Sequence, residues 1–153
     1  MTDAPILICY DGSDDSARAI GEAASLFGPR RAVVLDVGPM LTPAESLAMM
    51  GPVSPAAAFE GLNEDDALAR AKAGAEQARR DGFDAEPRAI LEAPTWEGIV
   101  DVADEVDASV IVLGSRGLKH FEEVLSGGSL SHEVAEHAGR PVLIVPLPRK
   151  HRD

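Results

Sequence analysis

The stretch PILICYDGSDDSARAIGEAASLF, residues 5–27, changes its pattern half-way along. PILICY (5–10) is an unbroken apolar run, the signature of a strand covered on both faces. The run stops at Asp11-Gly12, a turn-forming pair, and Ser13 or Asp14 can then cap a helix through SARAIGEAASLF. Strand, turn and helix follow one another within one short segment, which is how a βα unit begins.

The same alternation continues along the chain. RAVVLDV (31–37) is apolar and β-branched and is closed by Gly38-Pro39, which predicts a second strand. Residues 38–63 hold four prolines, three glycines and three methionines without a clean period, so they read as a long connection. Met40, Leu47, Met49 and Met50 would serve as adaptable contacts if this segment covered a ligand or a partner. Its default reading is an apolar loop packed on its own domain.

EDDALARAKAGAEQARRDG, from Glu64, places acids at its front and bases at its back, as a helix dipole favours, and Gly82 ends it. AEPRAIL (85–91) predicts a strand at a sheet edge, because Pro87 cannot donate to a ladder. TWEGIVDVADEV (95–106) predicts a helix capped by Thr95 with Trp96, Ile99, Val100, Ala103 and Val106 on one apolar stripe, which makes Trp96 a core residue rather than a ligand platform. SVIVLG (109–114), SLSHEVAEHAG (129–139) and RPVLIVPL (140–147) complete the series as strand, helix and strand. Five apolar strands separated by helices imply an α/β fold: a single doubly wound domain with a parallel sheet and helices on both faces.

Composition agrees with one soluble domain. The chain has 153 residues, 45% of them hydrophobic, enough for one core. The expected boundaries are residues 1–148 for the domain and 149–153 for a basic tail. A formal charge of −12 opposes nucleic-acid binding, which needs clustered Lys and Arg. The single cysteine, Cys9, lies in the first apolar run and cannot form an intrachain disulfide. With no signal-peptide pattern and no run near the ~20 apolar residues of a membrane helix, the expected location is the cytoplasm, without membrane attachment.

In an open parallel sheet, ligands bind beyond the carboxyl ends of the strands where the order reverses. Strand 1 ends at Asp11, strand 2 at Val37, and strand 4 runs into GSRGLKHFEEVLSGGSLS (114–131). Gly114 and Gly117 permit unusual dihedrals and close backbone approach. Gly127, Gly128 and Ser129 precede a helix whose free N–H groups suit a phosphate, and Ser129 adds a hydroxyl. Arg116, and less directly Lys119, would neutralise the anion.

The spacing G-x-x-G, nine residues, then Gly with Ser resembles the nucleotide-binding signature of the universal stress protein family. ILICYDGSDDSARAI resembles that family's first strand and helix, and ASVIVLGSRGLKHFEEVLSGGSLSHEVAEHAGRPVLIVP resembles its C-terminal third. The middle, from about 40 to 95, matches in pattern only. The resemblance implies a five-stranded parallel sheet in the order 3-2-1-4-5 and ATP, or another adenine nucleotide, as ligand, with Mg²⁺ as its companion. It assigns Asp11 to the adenosine moiety, the Val37 backbone to adenine, Gly114 and Gly117 to the first glycine pair, and Ser129 with Leu130 to the helix start.

This chain departs from the family pattern in having Gly128 between Gly127 and Ser129. Either the loop carries one extra residue and Gly128-Ser129 fill the usual place, or Gly127 fills it and the hydroxyl is displaced. The downstream match favours the first.

Little in the sequence supports catalysis. There is no Gly-Lys-Ser/Thr of a Walker A loop, and no G-x-S-x-G elbow or paired Ser and His. No catalytic residue and no metal ligand is assigned. Asp11, Asp14, Asp15 and Asp36 could hold a metal only through the phosphates, and Asp14 and Asp15 are better explained as first-turn acids. His132 and His137 are five apart on one helix and show no ligand spacing.

The expected role is therefore a stress-response or regulatory binding module with at most slow ATP hydrolysis. The alternatives are a stress-type protein that acts through protein partners without a nucleotide, and an ATP-hydrolysing enzyme of the same superfold. A receiver domain would need an aspartate ending strand 3 and a lysine ending strand 5, where this chain has ILEAP and LIVPL. The last strand is apolar at an unguarded edge, and with the resemblance it implies a homodimer through Val142, Leu143, Ile144 and Val145.

Overall fold

The computed structural model describes residues 3–39, 64–92, 94–115, 130–146 and 148. Among them run, in chain order, β1 (Ile6–Cys9), α1 (Asp14–Phe27), β2 (Arg31–Pro39), α2 (Glu64–Arg80), β3 (Asp84–Glu92), α3 (Thr95–Glu105), β4 (Val110–Gly114), α4 (Leu130–His137) and β5 (Val142–Val145). The five strands form one parallel sheet in the order β3-β2-β1-β4-β5. This is the expected doubly wound architecture, including the strand order that the resemblance implied.

Alternate residues of the strands feed two separate cores. Ile6, Ile8, Val34 and Val112 point to the face covered by α1 and α2, where they meet Ala19, Ile20, Ala75 and Ala78. Leu7, Leu35, Ile111 and Leu113 point to the other face, where α3 and α4 supply Ile99, Val102 and Val134. Because both faces are buried, the strands read as continuous apolar runs instead of alternating. The α2 helix turns Ala67, Ala71, Gly74, Ala75 and Ala78 inward. A Cβ on Gly74 would lie 2.6 Å from the Tyr10 ring, so this small-residue stripe lets the helix sit close on Tyr10 and Val34.

Several boundaries differ from the sequence expectation. The β2 strand does not stop at Val37: Gly38 and Pro39 continue it and pair with Leu91 and Glu92 of β3. The β1 strand is shorter, with Cys9 opposite Leu35 as its last ladder pair. Ser13 is the cap of α1, and its side chain accepts the Ser16 N–H at 3.2 Å. Thr95, in contrast, is no cap: Pro94 occupies that position without a side-chain hydrogen bond, and Thr95 is the buried first residue of the helix. The buried stripe of α3 is Thr95, Gly98, Ile99, Val102 and Ala103, with Gly98 pressed against Ile90 and Glu92 of β3, so Val100 lies off it.

Arg140, in the turn before β5, donates to the carbonyls of Ala103 at 2.9 Å and Ala108 at 2.6 Å and also pairs with Asp104. It thereby ties the end of α3 and the segment leading into β4 to the turn before β5. Pro87 lies in β3, an edge strand, as its missing N–H requires. No helix among the described residues is long and apolar enough to cross a membrane.

Candidate functional site

The sheet order reverses at β1, which has β2 on one side and β4 on the other. Beyond the end of β1 a narrow cleft lies between these strands and the helices. Cys9, Tyr10 and Asp11 form its floor and Ser16 of α1 one wall; Leu35 and Val37 come from β2, Ile99 from α3, Leu113 and Gly114 from β4, and Leu130 from α4. Among the described residues the lining is mainly aliphatic, with Asp11 as its one charged side chain, which suits a flat apolar ring with a polar substituent.

Asp11 is held by its own turn. Its Oδ1 accepts the Ser13 N–H at 2.9 Å, while Gly12 takes a φ of +82°, which only glycine adopts readily. The Ser16 hydroxyl donates to the Ser13 carbonyl at 2.9 Å and lies 3.2 Å from the Ser13 hydroxyl. Asp11, Ser13 and Ser16 thus form one hydrogen-bonded corner at the start of α1. The thiol of Cys9 stays protonated: burial pushes its pKa up, and the carboxylates of Asp11 and Asp36 add to the effect. It acts as a small apolar group rather than a nucleophile.

Of the residues singled out in the sequence, Asp11, Val37, Gly114 and Leu130 all line this cleft. Arg116, Gly117, Gly127, Gly128 and Ser129 lie outside the described residues, as does the segment 40–63 with its methionines. Gly114 differs from expectation. Its φ is not in the left-handed region, and a Cβ there would lie 3.2 Å from the Asp15 carbonyl oxygen, so the first turn of α1 leaves little room for a side chain at this point.

Asp36 was a candidate for holding a metal. It points instead to the α1/α2 face, where Arg70 Nε donates to Oδ2 at 2.7 Å. Cys9, Ser16, Leu35, Ile99 and Leu113 were not singled out as site residues. The strand-end rule selects Cys9 and Leu113, and the α3 stripe contains Ile99, but nothing local marks Ser16 or Leu35.

Among the described residues, His132 and His137 are solvated helix residues with carboxylate neighbours. His132 pairs with Glu136 and His137 with Glu133, each at 3.7 Å, and the His137 ring stacks on Trp96 with centroids 4.2 Å apart. Glu133, Glu136 and His137 bring ligand-type atoms within 4.8 Å of one another on α4. Spacing between histidines alone does not reveal that group, because two of its members are glutamates.

Comparison with known proteins places the fold in a family. The model of the Universal stress protein family covers residues 4–146. The chain belongs to that family. It is 34% identical over 145 residues to Universal stress protein YxiE of Bacillus subtilis (strain 168), spanning 92% of this chain and 97% of that protein. A universal stress protein solved in complex with cAMP superposes with a TM-score of 0.63 at 24% identity, covering 94% of this chain and 98% of that one. The universal stress protein from Archaeoglobus fulgidus in complex with dAMP superposes with a TM-score of 0.59 at 22% identity, covering 93% and 97%. At these identities the two structures establish the fold that the universal stress protein family shares with this chain.

Proposed function

We propose that this universal stress protein family member binds an adenine nucleotide, ATP in the first instance, and acts as a stress-response or regulatory binding module with at most slow hydrolysis. The observation that carries this reading is the cleft itself: an aliphatic slot made by Val37, Ile99, Leu113 and Leu130, with the Asp11 carboxylate beside it and Gly114, where the G-x-x-G spacing begins, at its rim. The slot offers an adenine ring apolar faces, and Asp11 offers an acceptor to the hydroxyls of the adenosine moiety. Arg116, Gly117, Gly127, Gly128 and Ser129 would then take the phosphates, as their chemistry suggests.

With Asp36 committed to Arg70, any Mg²⁺ would be carried by the phosphates. The nucleotides bound by the two solved relatives, cAMP and dAMP, support the adenine part of the reading.

Mass spectrometry of small molecules released from the denatured purified protein, followed by calorimetric titration with ATP, ADP and AMP, tests it. Asp11→Ala should weaken binding by about tenfold to a hundredfold, the loss of one hydrogen bond to a charged group. Gly117→Trp should abolish binding and leave the circular dichroism spectrum unchanged. Failure of every adenine nucleotide to bind the wild-type protein would sink the proposal and favour action through protein partners. Turnover far above that of a Gly114/Gly117 double variant would make the protein an ATPase instead.

The same proposal includes a homodimer. β5 is an edge strand, and Ile144 is 38% exposed on it with Val142 and Leu143 half-buried. Pairing of Val142–Val145 with a second copy would cover that edge. Light scattering at micromolar concentration should then give twice the chain mass. We also take residues 1–148 as one domain with a basic tail at 149–153, located in the cytoplasm.

A further inference from the structure

Asp36 is the one carboxylate in the buried set of described residues, 1% exposed, and no part of it lines the cleft. We propose that the Asp36–Arg70 ion pair positions the Asp11–Gly12–Ser13 turn, and so sets where the Asp11 carboxylate stands in the cleft. The ligand-binding half of this inference rests on the nucleotide reading given above.

The ion pair and the turn are close neighbours in the fold. Arg70, from the second turn of α2, addresses Asp36 with its fork, Nε to Oδ2 at 2.7 Å and Nη2 to Oδ1 at 3.4 Å. The fork fixes the guanidinium plane, and with it the course of the aliphatic stem. That stem passes close to Gly12: a Cβ added there would meet it in ordinary van der Waals contact, 3.6 Å from Arg70 Cδ and 3.9 Å from Cγ. Gly12 holds its positive φ beside this stem, and the residues on either side of it, Asp11 and Ser13, are joined by the 2.9 Å bond from the Ser13 amide to Oδ1.

A buried ion pair is a poor way to gain stability, since apolar residues of the same volume serve as well or better. What a charged fork adds is direction. An apolar side chain at position 70 could lie anywhere on the sheet, whereas a guanidinium anchored on Asp36 has one place for its methylenes. The pair thus links the α1/α2 face of the sheet to the Asp11 carboxylate in the cleft, and it does so from α2.

Amide exchange by NMR on the ligand-free protein and calorimetric titration with ATP test this on the full chain. Two variants are needed. Asp36→Asn/Arg70→Ala removes the pair without orphaning a buried charge, and Arg70→Lys keeps a cation for Asp36 but loses the planar fork. The Ser13 amide should exchange about tenfold faster in the first variant and about threefold faster in the second, with the amides of β1 unchanged, because opening is local. ATP affinity should fall about tenfold in the first variant, and Asp11→Ala added to it should cost less than about threefold more, since residues acting through one contact are not additive.

Unchanged exchange at Ser13 in a variant that folds overturns the proposal. So does an Asp11→Ala effect that multiplies in full with removal of the pair. If the first variant does not fold, Arg70→Lys decides on the same two readouts. A wild-type protein that binds no adenine nucleotide sinks the nucleotide reading, and Ser13 exchange in the ligand-free protein then decides the positioning role.

Discussion

On the α1/α2 face of the sheet the apolar layer is closed at its carboxyl end, where Tyr10 lies on Gly74 and Asp36 pairs with Arg70. On the α3/α4 face the layer of Leu7, Cys9, Leu35 and Val37 leads to the cleft, which Cys9, Leu35 and Val37 line. Neighbouring residues of one strand therefore face different demands. Leu35 and Val37 contribute to a wall that a ligand can reach, while Asp36 between them faces packed helix. A substitution on the closed face should be felt as lost stability, and one at the cleft end of the α3/α4 face as lost binding.

The sharpest attempt to break this division is Ile8→Ala. Ile8 is fully buried at the centre of the closed face, and truncation should cost about 2–5 kcal/mol, measured by urea unfolding. The rise in melting temperature that saturating ATP produces should nevertheless persist, because ligand linkage depends on the cleft alone. Loss of that rise would show the two faces to be one cooperative unit for binding.

Gly114→Val probes the place where the two demands meet. Its side chain would press on the backbone of Asp15, so the ligand-free protein should lose about 1–3 kcal/mol by overpacking. Unchanged stability would return Gly114 to a purely ligand-facing role. The smallest effect belongs to Ser13→Ala, which removes the α1 cap and should cost about 1 kcal/mol in thermal unfolding.

The amino-acid sequence made much of this fold legible for a physical reason. Strands buried on both faces are continuous apolar runs, and PILICY, RAVVLDV and SVIVLG announce themselves in that way. Periodicity carried no information on which strand neighbours which; that order came from likeness to a family. Thr95 misled because a proline before it takes the cap position with its fixed φ of −73°, leaving the threonine inside the helix. Gly38-Pro39 misled because a parallel neighbour, β3, extends far enough to pair with them.

Within the candidate site, Asp11, Val37, Gly114 and Leu130 could be found from strand ends and motif spacing. The Asp36–Arg70 pair could not, since its members are 34 residues apart on elements of different periodicity. The packing role of Gly114 was hidden for the same reason, as Asp15 meets it only after β1 and β4 have paired.

The β1 strand has four residues where its neighbour β2 has nine, and the cleft occupies the step this leaves. The size of the hollow is therefore a property of main-chain length, insulated from drift in the side chains around it. A residue or two inserted or deleted where β1 gives way to α1 would enlarge or shrink the hollow and leave the paired registers of β1 with β2 and β4 as they are.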